Sequence, residues 1–366
     1  MTQLPTTADP SSRVVSDHEV VGGVDTHKDT HTAAAIDERG RLLGCQQFPT
    51  TPRGYQELLA WLRGHAGDNG RLLVGVEGTG AYGAGLTRLL LAEQVEVVEV
   101  DRPDRKTRRF QGKSDPIDAI AAAQAAQSGR ATGRPKHRAG RVEALRALRV
   151  ARRSAIDQRA DVQRQLKALI VTAPEALRER LRDLTDTQLI TTCAGMRPNR
   201  DTACPVTATT LALRSLARRH QQLSTEIREL DKLITPLIAT INPRLLAVFG
   251  VGPDTAGQLL VTAGEDPDRI TSEAAFAMLC GAAPLPASSG RTHRHRLNRG
   301  GDRQANAALY RIVLSRLRHD PATRAYAQRR TAEGKSKKEI IRCLKRYIAR
   351  EVYTALLNPN DPEIAA

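Results

Sequence analysis

Gly23-Val24-Asp25-Thr26-His27-Lys28-Asp29 is the stretch on which the reading of this chain turns. It is preceded by the apolar run Glu19-Val20-Val21-Gly22-Gly23-Val24 and followed by Thr32-Ala33-Ala34-Ala35-Ile36-Asp37. Two short strands joined by a polar turn fit this pattern. Asp25 then closes the first strand, at the edge where α/β sheets bind their ligands. Most strand-end acids are only turn residues, so the weight of Asp25 depends on which other acids meet it.

Outward from that stretch, residues 20–130 alternate between strand and helix patterns. Leu42–Cys45 predicts a third strand. Gly54–Leu62 predicts a helix with Tyr55, Leu58, Leu59 and Leu62 on one face. Arg71–Glu77 is a buried-type strand ending in an acid, and Gly78-Thr79-Gly80 is a turn. A helix over Tyr82–Ala92, a strand over Val95–Val100 and a helix over Pro116–Gln127 complete an α/β domain. Two further acids, Asp115 and Asp118, stand three apart at the start of that last helix and share a face. Two readings of them are open. Asp115 as N-cap with Pro116 at the first helical position is a capping arrangement. Alternatively, Asp25, Glu77, Asp115 and Asp118 gather at one point. Two carboxylates 4 Å apart repel by about 4 kcal/mol at an effective dielectric of 20. Such a cluster calls for protonation or a hard dication, Mg²⁺ or Mn²⁺, and a two-metal clamp suits phosphodiester chemistry.

The charge balance points the same way. Lys and Arg number 56 against 40 Asp and Glu, a net charge of +16 over 366 residues, with a pI near 10.2. The simplest partner is a polyanion, nucleic acid. No apolar run reaches the length of a bilayer span. Residues 1–18 lack the apolar core of a signal peptide and read as a disordered tail, so a cytoplasmic, nucleoid-associated protein is expected. Cys45, Cys193, Cys204, Cys280 and Cys343 are scattered, without the spacing of a zinc site or a disulfide frame. Aromatic residues make up only 3% of the chain. That favours grip on the phosphate backbone over a base-stacking platform.

Gly129–Arg141 is basic, contains Gly and Pro, and reads as a linker. Val142, Leu145, Leu148, Ile156, Val162, Leu166 and Leu169 recur at helical spacing. Leu216, Leu223, Ile227, Leu230, Ile234 and Leu237 form a heptad-like stripe. The pair reads as an antiparallel coiled coil or an oligomerisation arm, or equally as a plain bundle core. Residues 244–356 predict a mostly helical region. It begins with a helix that breaks at Gly250-Val251-Gly252 and restarts at Pro253, like a helix-hairpin-helix offering backbone N–H groups to a phosphate. Later come the loop Pro284-Leu285-Pro286-Ala287-Ser288-Ser289-Gly290 and a dense basic run: Arg291, His293, Arg294, His295, Arg296, Arg299 and Arg303.

Gly-Val-Asp25-Thr-His-Lys, Glu77-Gly-Thr-Gly and Gly-Lys-Ser-Asp115-Pro-Ile-Asp118-Ala together resemble the N-terminal domain of the DEDD transposases of bacterial insertion sequences, relatives of the Piv invertase. The Gly-Val-Gly-Pro hairpin, the serine loop and Asn298-Arg299-Gly300-Gly301 resemble that family's second domain. The resemblance covers residues 20–355. It implies a RuvC-like, RNase H-type catalytic domain at 19–130 between tails at 1–18 and 357–366. It further implies a linker and coiled-coil helices at 131–243 and a C-terminal domain at 244–356. It implies a metal at Asp25, Glu77, Asp115 and Asp118, and a nucleophilic serine, Ser289 with Ser288 as the alternative. The serine would form a phosphoserine link to DNA. It implies donor and target double-stranded DNA, a structured non-coding RNA that pairs with both, and a homo-oligomer, dimer or tetramer. Expected nucleic-acid contacts are Arg105, Lys106, Arg108, Arg109 and Lys113, the hairpin at Gly250 and Gly252, and Arg291, Arg294, Arg296, Arg299 and Arg303. A solvated basic face is the rival reading of the 102–113 and 130–141 segments. Two other functions share these features: a junction endonuclease that uses the acids and water alone, and a non-catalytic DNA-binding relative.

Overall fold

The computed structural model describes residues 20–66, 70–100, 114–287 and 295–359. They divide into two compact units. One runs up to Gly140 and includes Gly264–Arg269; the other comprises Arg141–Ala263 and the chain from Ile270 onward.

The first unit is built on a five-stranded sheet. Strands β1 (Val20–Thr26), β2 (Thr30–Asp37) and β3 (Leu42–Pro49) are antiparallel neighbours. Strands β4 (Leu72–Glu77) and β5 (Glu96–Val100) add in parallel on the other side of β1, giving the order β3-β2-β1-β4-β5. The expected strand over Glu19–Val24 extends through Thr26, so Asp25 is held by the ladder opposite Thr32. Alternation sorts the β1 side chains onto two faces. Val20, Val24, Val74 and Val76 pack with Leu58, Leu62, Leu86 and Leu90, which come from helices α1 (Pro52–Ala66) and α2 (Ala84–Ala92). On the opposite face Val21, Ile36 and Leu73 pack against Ala123 and Ala126 of helix α3 (Asp115–Gln127).

The α3 face explains an otherwise odd choice of glycines. Gly23 and Gly75 are direct partners across the parallel ladder. A Cβ on Gly23 would lie 2.1 Å from the Ala119 carbonyl oxygen and 2.2 Å from the Ala123 nitrogen. One on Gly75 would lie 2.7 Å from the Ala122 carbonyl oxygen. The glycine pair makes a trough into which an alanine-faced helix settles backbone to backbone. Two residues further along each strand, on that same face, stand Asp25 and Glu77.

The second unit is helical. Helices α4 (Arg141–Val171) and α7 (Pro205–Ile241) lie antiparallel, since Arg152 bonds Asp231 while Arg159 bonds Ser224. At 37 residues, α7 is roughly 55 Å long. Its expected stripe faces α4: Ala155 and Val162 pack with Leu223 and Ile227. That seam is therefore filled by the chain's own helix. Two short helices, α5 (Glu175–Leu181) and α6 (Asp186–Ala194), cap the far end, where Leu166, Leu177, Leu189 and Leu213 share a core.

At the near end, Leu145, Ile234 and Ile238 join the main core of the C-terminal helices. These are α8 (Pro243–Ala247), α9 (Pro253–Ala263), α10 (Glu273–Leu279), α11 (Arg303–His319), α12 (Pro321–Ala332) and α13 (Lys337–Leu357). A two-stranded ribbon, β6 (Leu285–Pro286) with β7 (His295–Arg296), separates α10 from α11. Among the described residues no helix is long and apolar enough to cross a membrane.

Asp254 ties α9 to its neighbours by accepting from Arg149, Arg152 and Arg311. Burial pushes its carboxyl up, but the guanidiniums of Arg149, Arg311 and Arg152 outweigh this and hold it below the usual carboxylate range. A depressed acid contributes stability above its unfolded value, and that stability is lost as pH falls through the folded value. Asp254→Ala leaves Arg149 and Arg152, both largely buried, without this acid. It should cost about 2 kcal/mol at neutral pH and much less at acid pH. Denaturant unfolding at the two pH values checks this; an equal cost at both would contradict it.

Candidate functional site

The site at the sheet edge is assembled by three separate elements. β1 supplies Asp25, β4 supplies Glu77, and the first turn of α3 supplies Asp115 and Asp118. Asp25, Glu77 and Asp118 are buried, while Asp115 is partly exposed. Ser114, not Asp115, is the N-cap of α3, and no side chain caps that end. The capping reading of Asp115 therefore fails. Its carboxylate instead meets His27, whose Nε2 lies 3.4 Å from Asp115 Oδ1 and 3.0 Å from Asp25 Oδ2.

Asp25, His27 and Asp115 form a group whose ligand atoms all lie within 4.8 Å of one another. Glu77 and Asp118 are not members of that tight group. Asp118 is nevertheless close enough to act on Asp25. Burial is the main reason the Asp25 carboxyl is raised above its ordinary value; His27 opposes the shift, and Asp118 and Asp115 add to it. Asp25, Asp115 and Asp118 set several carboxylates against the one imidazole of His27. Clustered carboxylates with one imidazole at hand are a donor set that suits a divalent cation, so the residues present fit the metal that the motif implies.

His27 is the member that the sequence reading passed over. The signal was available: His27 stands two positions after Asp25 and continues the same alternation. The turn aims it, since His27 N–H donates to the Thr30 carbonyl across the hairpin. Thr50 Oγ1 donates to the Lys28 carbonyl, pinning the turn from outside. A second anchor lies beside Glu77: Thr26 Oγ1 donates to its carbonyl at 2.8 Å.

Asp25 makes a stability prediction. An acid with a raised folded pKa leaves the native state holding more protons than the unfolded chain. Stability then falls as pH rises from the ordinary value of 3.8 through the folded value, and stays reduced above it. Asp25→Asn should raise the neutral-pH stability of the metal-free protein by about 1 kcal/mol. Thermal melting in chelator checks this; a lower melting temperature would mean that the attraction of His27 outweighs burial and repulsion.

The remaining candidates are distributed differently. Arg105, Lys106, Arg108, Arg109 and Lys113, together with Ser288, Ser289, Arg291 and Arg294, lie outside the described residues. The ribbon that leads to and from the serines is described: Leu285 pairs with Arg296 and Pro286 with His295. Arg296, Arg299 and Arg303 are exposed. Between them Asn298 is buried, donates to the Met278 carbonyl and accepts from the Gly300 N–H, so that residue holds the turn.

Between α8 and α9 the chain turns, with Gly250 at φ +80° where a side chain would be strained. The donors of this turn are not all open. Gly252 N–H donates to Thr255 Oγ1 and Val251 N–H to the Val248 carbonyl.

Similarity to known proteins covers the stretch that carries these acids. Residues 22–174 match a DEDD-type IS110 family model described as transposase, and residues 242–328 match the model described as transposase of the IS116/IS110/IS902 family. The first match contains all four acids. An uncharacterized 43.6 kDa protein of insertion element IS110 from Streptomyces coelicolor is 36% identical over 125 residues, 33% of this chain and 30% of that protein. An uncharacterized 42 kDa protein of insertion element IS900 from Mycobacterium paratuberculosis is 30% identical over 134 residues, 36% of this chain and 34% of that protein. The matched stretches thus span about a third of each relative. With both family models met in order along one chain, the protein belongs to the IS110 family of insertion-sequence transposases.

Proposed function

We propose that this chain is a DNA transposase that cuts and rejoins strands to excise and insert its mobile element. The observation that carries the reading is the convergence of Asp25, Asp115 and Asp118, with Glu77 on the same sheet face, in a chain of net charge +16. The strand order β3-β2-β1-β4-β5, with β1–β3 antiparallel, supports an RNase H or RuvC-like reading of the first unit. Mg²⁺ or Mn²⁺ held by the four acids would neutralise charge building on the scissile phosphate. Asp25 and Glu77 are fixed by the ladder and Asp115 and Asp118 by the trough, so little reorganisation is needed at that site.

The Ser289 role rests on the resemblance of its loop. Its Oγ would form a bond to phosphorus as the bond to the 3′-oxygen breaks, and the hydroxyl proton would leave with the released 3′-hydroxyl. The phosphoserine link keeps the bond energy for rejoining. Arginines beside it neutralise the phosphate. A structured RNA partner and a homo-oligomer, with acids and serine drawn from different protomers, complete the proposal. The antiparallel α4–α7 pair is the arm that would bring protomers together.

The test incubates the purified chain with DNA carrying its element's ends in Mg²⁺ and follows strand cleavage and protein–DNA adducts on denaturing gels. Wild type should form an adduct that Ser289→Ala abolishes. Asp25→Ala mixed with Ser289→Ala should recover activity if the site is shared between protomers. Cleavage that persists in Ser289→Ala without any adduct would establish the nuclease reading instead.

A further inference from the structure

At the foot of the serine ribbon the second unit contains a cavity of about 370 Å³, within the range of small-ligand sites. Arg296 of β7, Arg330 of α12, Lys335, and Arg342, Lys345 and Arg346 of α13 line it, with Glu339 the one acidic residue in its wall among the described residues. Glu339 is engaged in capping α13 through Ser336. Lys345 is buried and donates to Asn306 Oδ1 at 2.9 Å. Arg330 pairs with Glu333 and Arg346 with Glu273, so the charge that the wall offers a ligand comes mainly from Arg296, Lys335 and Arg342.

The wall is not purely cationic. Tyr347 and Leu297 are about half exposed and face the same cavity, with Ala283 and Pro284 beside them. Tyr347 is braced edge-on by Tyr326, their ring centroids 5.7 Å apart. Tyr326 is in turn covered by Arg330. A flat apolar wall opposite a set of phosphate-seeking cations matches a nucleotide: the base packs on the ring while the phosphate meets the guanidiniums. A paired base inside a duplex cannot present its face to a concave site. The residues between β6 and β7 carry Arg291 and Arg294, of the same sign as the wall, so electrostatics disfavours that segment as occupant.

We propose that this cavity takes one unpaired DNA nucleotide, with its base on Tyr347 and its phosphate on Arg342 beside Arg346. The proposal rests on reading the chain as a DNA-acting protein, but not on the metal or the serine. It also qualifies the sparse aromatic content. An aromatic content of 3% argues against an extended stacking platform, yet one tyrosine suffices to hold one base out of the helix.

The test is made on the full chain in chelator, where cleavage cannot contribute. Fluorescence anisotropy compares a short duplex containing a single unpaired thymidine with the same duplex fully paired. The unpaired form should bind roughly tenfold more tightly. Tyr347→Ala and Arg342→Glu should each remove that preference while paired-duplex binding persists, and Tyr347→Phe should keep it. A 5-iodouracil placed at the unpaired position should photocrosslink to α13. Equal affinity for the two duplexes, a preference that survives both substitutions, or a stronger preference for an unpaired ribonucleotide would each overturn the proposal. Failure of the transposase reading would show separately, as absent Mg²⁺-dependent cleavage by wild type.

Discussion

Gly23→Ala should destabilise the first unit by about 3 kcal/mol and disable the site with it. The added methyl would meet the Ala119 carbonyl oxygen at 2.1 Å and the Ala123 nitrogen at 2.2 Å. Both are backbone atoms, so no side-chain rotation relieves the clash and α3 must move off the sheet. Because Asp115 and Asp118 ride on the first turn of α3, such a movement separates them from Asp25 even in molecules that stay folded. Gly64→Ala is the matched control, since a Cβ there meets nothing within 4 Å and helix propensity favours alanine by roughly 1 kcal/mol. Trp61 is the chain's single tryptophan and sits in α1, packed near Phe48. Its fluorescence in a urea titration reports this unit directly. A Gly23→Ala transition at the wild-type midpoint would contradict the tight seating of α3.

The second large effect is catalytic. Glu77→Gln and Asp118→Asn keep the shape of each side chain while removing one negative charge from the cluster. Each should lower Mg²⁺-dependent strand cleavage by about a thousandfold, with DNA binding retained because the basic surfaces are untouched. Initial rates on end-containing DNA, alongside anisotropy with the same DNA, separate the two effects. A loss below tenfold would mean that the acid in question does not support the reacting phosphate. Loss of binding together with cleavage would point to misfolding.

Much of this architecture is legible in the amino-acid order, and the parts that are not have physical reasons. The alternating apolar runs around Asp25 and before Glu77 announce strands, because period-two burial is a local property. The alanine-rich face of α3 is readable as helix, but its seat is not: only the register that pairs Gly23 with Gly75 reveals the trough. Asp115 followed by Pro116 carries the pattern of a capping arrangement, yet tertiary approach of His27 gives its carboxylate another partner and Ser114 takes the cap position. His27 itself is one step beyond the ladder, where alternation still orients the side chain although the strand has ended.

In the helical unit, the stripe from Leu216 to Leu237 is equally compatible with a partner chain or an internal one. The pairing of Arg152 with Asp231 and of Val162 with the Leu223–Ile227 face shows that α4 fills it. Helix α6 carries a weak hydrophobic pattern, but Thr185 and Gln188 form a capping box whose spacing marks its start. The cationic cavity could not be read from order at all. Its lining comes from residues 281–284, β7 and the chain just after it, α12 and α13, and only tertiary packing turns their side chains toward one space.

The central claim is that the acids at the sheet edge bind a divalent cation, and Mn²⁺ titration of the purified full chain tests it most directly. Free Mn²⁺ followed by electron paramagnetic resonance should show saturable binding to wild type that is lost in Asp25→Asn and in Asp118→Asn and is displaced by excess Mg²⁺. Binding that is absent in wild type, or unchanged when both Asp25 and Asp118 are replaced, would contradict it.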